Sequence, residues 1–391
     1  MFFPAVSFDS IDENTLISLK DNQVCEDRRL DYKVDLSLKG KDQRKEFLAD
    51  VSAFANTIGG RILIGVAEEK GVITDIPGIP CDDPDALTQT MDNLIDNSIA
   101  PRIRKKIKAI QLQNGHFVFV IEIPQSFYGP HMVTLGGSSR FHYRTNSGKF
   151  QMDVYQIREA FTASTTLDER IRNFRLDRLA KIESGDGPIS IAPKPHVVLH
   201  IIPAESMGSV STDYVGGFGD HGIRNELFNS LGSLYEYAKY NFEGYVVFSK
   251  SKIETTYVQL FSNGCIELLD TRPFSNDHND FPKIRIKALE HFSIEATKIL
   301  IQLQDRLGCG YPRIIYLSVI GVKGYRIYQS NLLSREDPID RDLLLIPGVR
   351  IDETAEEITI AMKPIFDGIW RAGGYCRSLN YDKEGKRKQS G

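Results

Sequence analysis

Residues 46–66 read EFLADVSAFANTIGGRILIGV, and the fold of the first part of the chain turns on them. Phe47, Leu48, Val51, Phe54, Ala55 and Ile58 recur at helical spacing, so one face of a helix must pack on a core. Gly59 and Gly60 then end the helix, because a glycine adopts a left-handed C-cap at no steric cost and has no side chain to obstruct the turn into a sheet. Ile62, Leu63, Ile64 and Val66 follow as a buried strand. Working outward, strands are expected over 30–36, 61–66, 103–111 and 116–123, a hairpin-like turn at 69–71, and helices near 83–97 and 153–161. The pattern is that of an α/β chain with a mixed, α+β type of sheet.

The composition suits a globular protein long enough for two domains: 391 residues, 41% hydrophobic and 26% charged. With 48 Lys plus Arg against 52 Asp plus Glu, the formal net charge is −4, so any surface for a polyanion must be local. Cys25, Cys81, Cys265, Cys309 and Cys376 fall in no C-x-x-C or Cys/His cluster, which argues against structural zinc and a disulfide framework and fits a reducing compartment. The opening MFFPAVSFDSIDEN has no basic n-region and reaches Asp9 too early for a signal peptide, and no run approaches membrane-spanning length. A soluble, cytoplasmic protein is the expectation.

The first domain is read as 1–161. The small polar run TASTTLD at 162–168 reads as the junction, and with the basic helix that follows gives a linker over 162–185. In that helix Ile171, Phe174, Leu179 and Ile182 form a stripe, surrounded by Arg170, Arg172, Arg175, Arg178 and Lys181, whose expected role is interdomain salt bridging, with ligand contact the alternative. Residues 186–391 read as a second α/β domain of unassigned role, with strands at 196–202 and 314–319, a long amphipathic helix over 284–307, and a solvated tail at 383–391. Gly217-Phe218-Gly219-Asp220-His221-Gly222 matches G-x-G-x-x-G before a helix expected over 223–240. The preceding strand ends near Ile202, however, so the strand-turn-helix continuity of a dinucleotide site is missing. No G-x-x-x-x-G-K-[ST] occurs.

The wording Ala53-Phe54-Ala55-Asn56-Thr57 before Gly59-Gly60, then Ile64-Gly65-Val66, resembles the Schlafen/AlbA-like (AlbA_2-type) nucleic-acid-binding domain. The resemblance extends back to Glu26 and Leu30-Asp31-Tyr32-Lys33, where the family usually reads Leu-Glu-Phe-Lys, and forward to about Phe161. It implies a bacterial Schlafen-like protein that binds RNA or DNA. Better-understood members hold substrate between two related lobes, and with one signature copy here the resemblance implies a homodimer.

Three constellations could carry chemistry. Asp31 and Lys33 are two apart on a strand and so share a face, and Glu26 and an acid after the Gly65-Val66 strand, Glu68 or Glu69, complete the parts of a metal-dependent nuclease. Glu26, Asp31 and Glu68 would hold Mg²⁺ or Mn²⁺ while Lys33 orients water or neutralises phosphate charge. Schlafen-type ribonucleases place three acids in this way, and Glu26 and Asp31 keep the spacing of the first two; Asp31 stands where a Glu is usual and Glu68 or Glu69 where an Asp is usual. The alternative is surface charges and a structural ion pair. Arg102, Arg104, Lys106 and Lys108 alternate with Ile103, Lys105, Ile107 and Ala109, so a strand here would present a cationic ladder to phosphates, or else a charged edge that resists aggregation. Phe141-His142-Tyr143-Arg144 offers aromatic and cationic groups, with Arg144 either a phosphate contact or an internal cap. The leading expectation is a metal-dependent endonuclease acting on structured, tRNA-like RNA or on DNA. A non-catalytic DNA- or RNA-binding regulator is the main rival, and an ATP-binding accessory protein a more distant one.

Overall fold

The computed structural model describes residues 8–38, 40–146, 148–191, 195–208, 213–216, 227, 237–250, 255–275, 281–329, 337–352, 357–382 and 384–388. The chain divides into two compact units, Met1–Thr166 and Leu167–Gly391. Both mix helices with parallel or antiparallel strands, so the fold is α+β.

In unit 1 the elements run α1 (Glu13–Asp21), β1 (Leu30–Lys33), α2 (Lys41–Ala55), β2 (Gly60–Ile64), β3 (Ala67–Glu69), β4 (Val72–Asp75) and α3 (Pro84–Ser98). They continue with β5 (Ile99–Ala100), β6 (Lys106–Gln111), β7 (Phe117–Ile123), β8 (Met132–Val133), β9 (Arg140–Thr145), β10 (Gly148–Gln151) and the start of α4 (Val154–Ser184). The main sheet has the order β1-β2-β7-β6, with β1 parallel to β2 and the other pairs antiparallel. A second antiparallel sheet has the order β10-β9-β8-β5, and β3 and β4 form a separate hairpin.

Strand alternation assigns the two faces of the main sheet. Leu30, Tyr32, Leu63, Val118 and Val120 pack with Leu16 and Leu19 of α1. Ile62, Ile64, Phe119 and Ile121 pack with Phe47, Leu48, Val51 and Phe54 of α2, Met91 and Ile95 of α3, and Val133 of β8. Asp31 and Lys33, out of phase with Leu30 and Tyr32, therefore fall on the α2 face.

Unit 2 is built on a large sheet of order β12 (Tyr237–Asn241), β13 (Gly244–Lys250), β14 (Thr255–Phe261), β15 (Ile266–Asp270), β11 (His196–Pro203), β18 (Arg313–Ile320) and β20 (Leu343–Leu345), with β21 (Val349–Ile351) also on β18. A small sheet joins β16 (Phe274–Ser275), β17 (Lys283–Arg285) and β19 (Arg326–Tyr328). Helices Ile286–Arg306 and Lys363–Ala372 contribute Leu289, Leu300, Phe366 and Trp370 to the core with Val197, Leu199 and Leu317. Leu179 and Ile182 of α4 pack with Val198, Val246 and Tyr257.

Several expectations are corrected. The helix expected to end near 161 and the one expected from 167 are a single helix, α4, that runs through TASTTLD. No Gly or Pro interrupts it, and its polar hydroxyls turn back on the helix: Thr162, Thr165 and Thr166 donate to the carbonyls of Arg158, Phe161 and Thr162. Residues 237–240, assigned to a helix, belong to β12; of the rest of that helix only Leu227 is described, helical and buried, and the G-x-G-x-x-G run at 217–222 lies outside the described residues. The tail folds back where it is described, with Arg387 bridging Tyr381 and Lys388 N donating to Asn380 O. Among the described residues no helix is long and apolar enough to cross a membrane.

Candidate functional site

The signature after α2 turns out to be a structural staple. Asn56 Nδ2 donates to the carbonyls of His131 and His142 at 2.9 Å each, and its Oδ1 accepts from His131 N at 2.7 Å, tying the end of α2 to the β8–β9 region. Thr57 Oγ1 donates to Ala53 O and accepts from Arg144 N. A Cβ at Gly59 would stand 2.5 Å from Gln125 N, and one at Gly60 2.4 Å from Arg29 O, so only glycine lets the chain pass. Phe54 lies under Arg144, whose guanidinium carbon is 4.5 Å from the ring centre.

Arg144 is thereby aimed at β1. It donates to Asp31 Oδ1 at 2.7 Å and to the carbonyls of Leu30 and Asp27, and is 4% exposed. Of the two roles expected for Arg144, phosphate contact or internal cap, the buried guanidinium, held by Asp31 and two carbonyls, fits the internal cap. Asp31, also 4% exposed, has Lys33 Nζ 2.8 Å from its Oδ2. Lys33 in turn lies 3.9 Å from Asp50 Oδ2, and Asp50 Oδ1 pairs with Lys149 at 2.9 Å. The result is a line of alternating charge, Arg144–Asp31–Lys33–Asp50–Lys149, in which the side chain of Lys33 is 41% exposed. Burial pulls the Lys33 ammonium toward neutrality, but Asp50 and Asp31 outweigh it and hold the group above the ordinary lysine value. Burial pushes the Asp50 carboxyl up against the pull of Lys149 and Lys33.

Glu26 and Glu68 complete the corner. Glu26 sits on the open edge of β1, where Tyr32 N donates to its Oε1 at 2.6 Å, and Glu26 N donates to Gly71 O in the β3–β4 turn. Glu68 Oε2 accepts from Gly71 N at 2.5 Å. Burial raises the Glu26 carboxyl above the usual range, and the neighbouring charges of Asp31 and Glu68 raise it further. The structure therefore brings Glu26, Asp31, Lys33 and Glu68 into one electrostatic neighbourhood.

It does not arrange them as a metal cage. Among the described residues no group of three or more His, Cys, Asp or Glu side chains is placed to hold a metal ion. The expected Mg²⁺ or Mn²⁺ ligands are turned to other partners: Asp31 lies between Arg144 and Lys33, and Glu26 and Glu68 each take a backbone N–H. The cationic ladder is also corrected. β6 begins at Lys106, leaving Arg102 and Arg104 in irregular chain, and Lys108 Nζ donates to the carbonyls of Asp9 and Ile11 at 2.8 Å. Lys106 sits over Phe8, 5.7 Å from the ring centre. β6 is moreover the edge opposite β1. Asp50 and Lys149 were not singled out in the sequence, although Asp50 interrupts the apolar stripe three residues after Phe47 and four before Phe54, where a charge needs a buried partner.

Residues 26–153 match the family model described as Schlafen, AlbA_2. Over that stretch the chain is similar to the Schlafen/AlbA-like family. Its borders enclose Glu26, the β1 edge, the α2 staple and Arg144, the parts just described. Among solved structures, the chain is similar to the DIP2311 protein of Corynebacterium diphtheriae at 17% identity and a TM-score of 0.26, over 38% of this chain and 28% of that one. It is also similar to the N-terminal domain of a RecG-related protein of Nitrosomonas europaea at 23% identity and a TM-score of 0.25, over 35% of this chain and 92% of that one. No curated protein matches the chain.

Proposed function

We propose that the Schlafen/AlbA-like unit binds nucleic acid, at the corner where the β1 edge meets the β3–β4 turn. The observation that carries this reading is Lys33: a half-open ammonium, kept charged by two buried aspartates, inside the segment that matches the Schlafen, AlbA_2 family. Such a group is suited to a phosphate oxygen. Fluorescence anisotropy of the full chain with labelled RNA hairpins and duplex DNA tests it, and affinity that does not fall with salt contradicts it.

A second reading, phosphodiester cleavage, is favoured by the convergence of Glu26 and Glu68 on the same corner. In it Glu26, whose raised proton affinity suits proton transfer, serves as acid or base, and Lys33 neutralises phosphate charge. Glu26, Asp31 and Glu68 each already take a protein donor, so no step is routed through a metal ion. Incubation with transfer RNA and with single- and double-stranded DNA, with and without Mn²⁺, separates binding from cleavage; Glu26→Gln should abolish cleavage and spare binding. We further propose that two copies pair to frame the substrate, which light scattering checks: a mass near the 44.1 kDa of one chain, with and without nucleic acid, contradicts pairing.

A further inference from the structure

Resting on the nucleic-acid reading, we propose that the phosphodiester backbone runs along the open edge of β1, contacted by Arg28 and Arg29 at one end, Lys70 on the facing hairpin and Lys33 at the other end, rather than along β6. The formal charges near this edge are close to balanced, since Glu26, Asp27, Asp31 and Glu68 lie among these cations. What distinguishes the two signs is where they point.

Each of those four carboxylates is turned onto a donor of the protein itself. Asp27 Oδ1 accepts from Arg29 N at 2.7 Å, Glu26 from Tyr32 N, Glu68 from Gly71 N, and Asp31 from Arg144. Their charge is spent on backbone dipoles, a buried guanidinium and, for Asp31, the Lys33 ammonium as well. Arg28, Arg29 and Lys70 are placed the other way, and Lys33, although paired with Asp31, keeps a half-open side chain. Arg28 and Arg29 form the exposed turn between Asp27 and Leu30, which bridge one another, so the turn ends where β1 begins. Lys70 is exposed at the tip of the β3–β4 hairpin with φ of 53°, next to Gly71, whose carbonyl takes Glu26 N. Lys33 closes the other end of β1. From Arg29 to Lys33 the strand rise spans about 13 Å, roughly two phosphate spacings along an extended backbone. Glu69 stays exposed on the hairpin and is the opposing charge a bound strand would meet.

The test is a salt titration of binding by the full chain, read by anisotropy with a labelled RNA hairpin in one arm and duplex DNA in the other. The triple variant Arg28→Gln, Arg29→Gln, Lys70→Gln, all exposed and so neutral to folding, should reduce the log K against log salt slope by about two to three, at about 0.7 to 0.9 per lost phosphate contact. Glu69→Gln should tighten binding. The control Arg102→Gln with Lys106→Gln should leave the slope unchanged. Loss of slope in the control but not in the triple variant overturns this path while keeping the nucleic-acid reading, and absence of binding by the unaltered chain overturns both.

Discussion

Both units place an ion network on a sheet face beneath a helix, and the two differ in whether water reaches them. In unit 2 Arg178 of α4 holds both oxygens of Glu267 at 2.9 Å, Tyr257 donates to the same carboxylate at 2.8 Å, and His200 Nε2 lies 3.0 Å from it. Glu267, His200 and Tyr257 are fully buried and Arg178 is 3% exposed. In unit 1 the line from Arg144 to Lys149 begins equally buried but opens at Lys33. A sealed network can only specify how a helix sits on its sheet, whereas one with a half-open member and a proton-hungry neighbour, Glu26, can meet a ligand. Arg175 and Arg178 of α4, expected to bridge domains, bond within unit 2: Arg175 reaches Ser318 Oγ and the carbonyls of Leu317 and Ile346.

The comparison can be broken at its sealed side first. Arg178→Met leaves Glu267 buried without its main cation, so unit 2 should lose about 3 to 5 kcal/mol. Trp370, the chain's one tryptophan, is fully buried in unit 2, so its fluorescence in a urea titration reads that unit alone. A small change there would mean that the network is not what fixes the helix. In unit 1 the matching cut is Asn56→Ala, which removes three hydrogen bonds of the staple and should cost about 2 to 3 kcal/mol, followed by circular dichroism with the Trp370 transition unmoved.

Acid should divide the units next. His200 and Arg178 hold Glu267 down to about 2 against the upward push of burial, so its contribution is complete above the ordinary glutamate value of 4.5 and is lost as pH falls from there toward 2. Glu26 runs oppositely. Its raised carboxyl makes ionisation a cost to unit 1 that protonation relieves, so acid should not weaken unit 1 through this group. Trp370 fluorescence against pH checks the first, and Glu26→Gln, expected to move unit 1 stability by no more than about 0.5 kcal/mol, checks the second.

The helix-to-strand unit, the Asp31 and Lys33 face and the convergence of Glu26 with Glu68 were legible because they follow from periodicity and from a narrow motif. Arg144 and the ladder were not, because residue type does not say which partner a cation finds. Arg144 is caught by Asp31, 113 positions earlier in the same unit, and Lys108 by carbonyls of residues that precede it by about a hundred positions. The Asn-Thr-x-Gly-Gly signature, read as a marker of binding, acts instead to hold Arg144 and β1 in place. Its polar atoms face inward.

The central claim is that Lys33 is where the molecule meets phosphate. Lys33→Met tests it most directly, because Asp31 keeps Arg144 and Asp50 keeps Lys149, so the fold should persist with a melting temperature lowered only by the loss of the Lys33–Asp31 pair. Measured by anisotropy with a labelled RNA hairpin, the affinity should fall about tenfold, the loss of one charge-assisted contact. A variant that stays folded and binds the hairpin just as tightly would contradict the account.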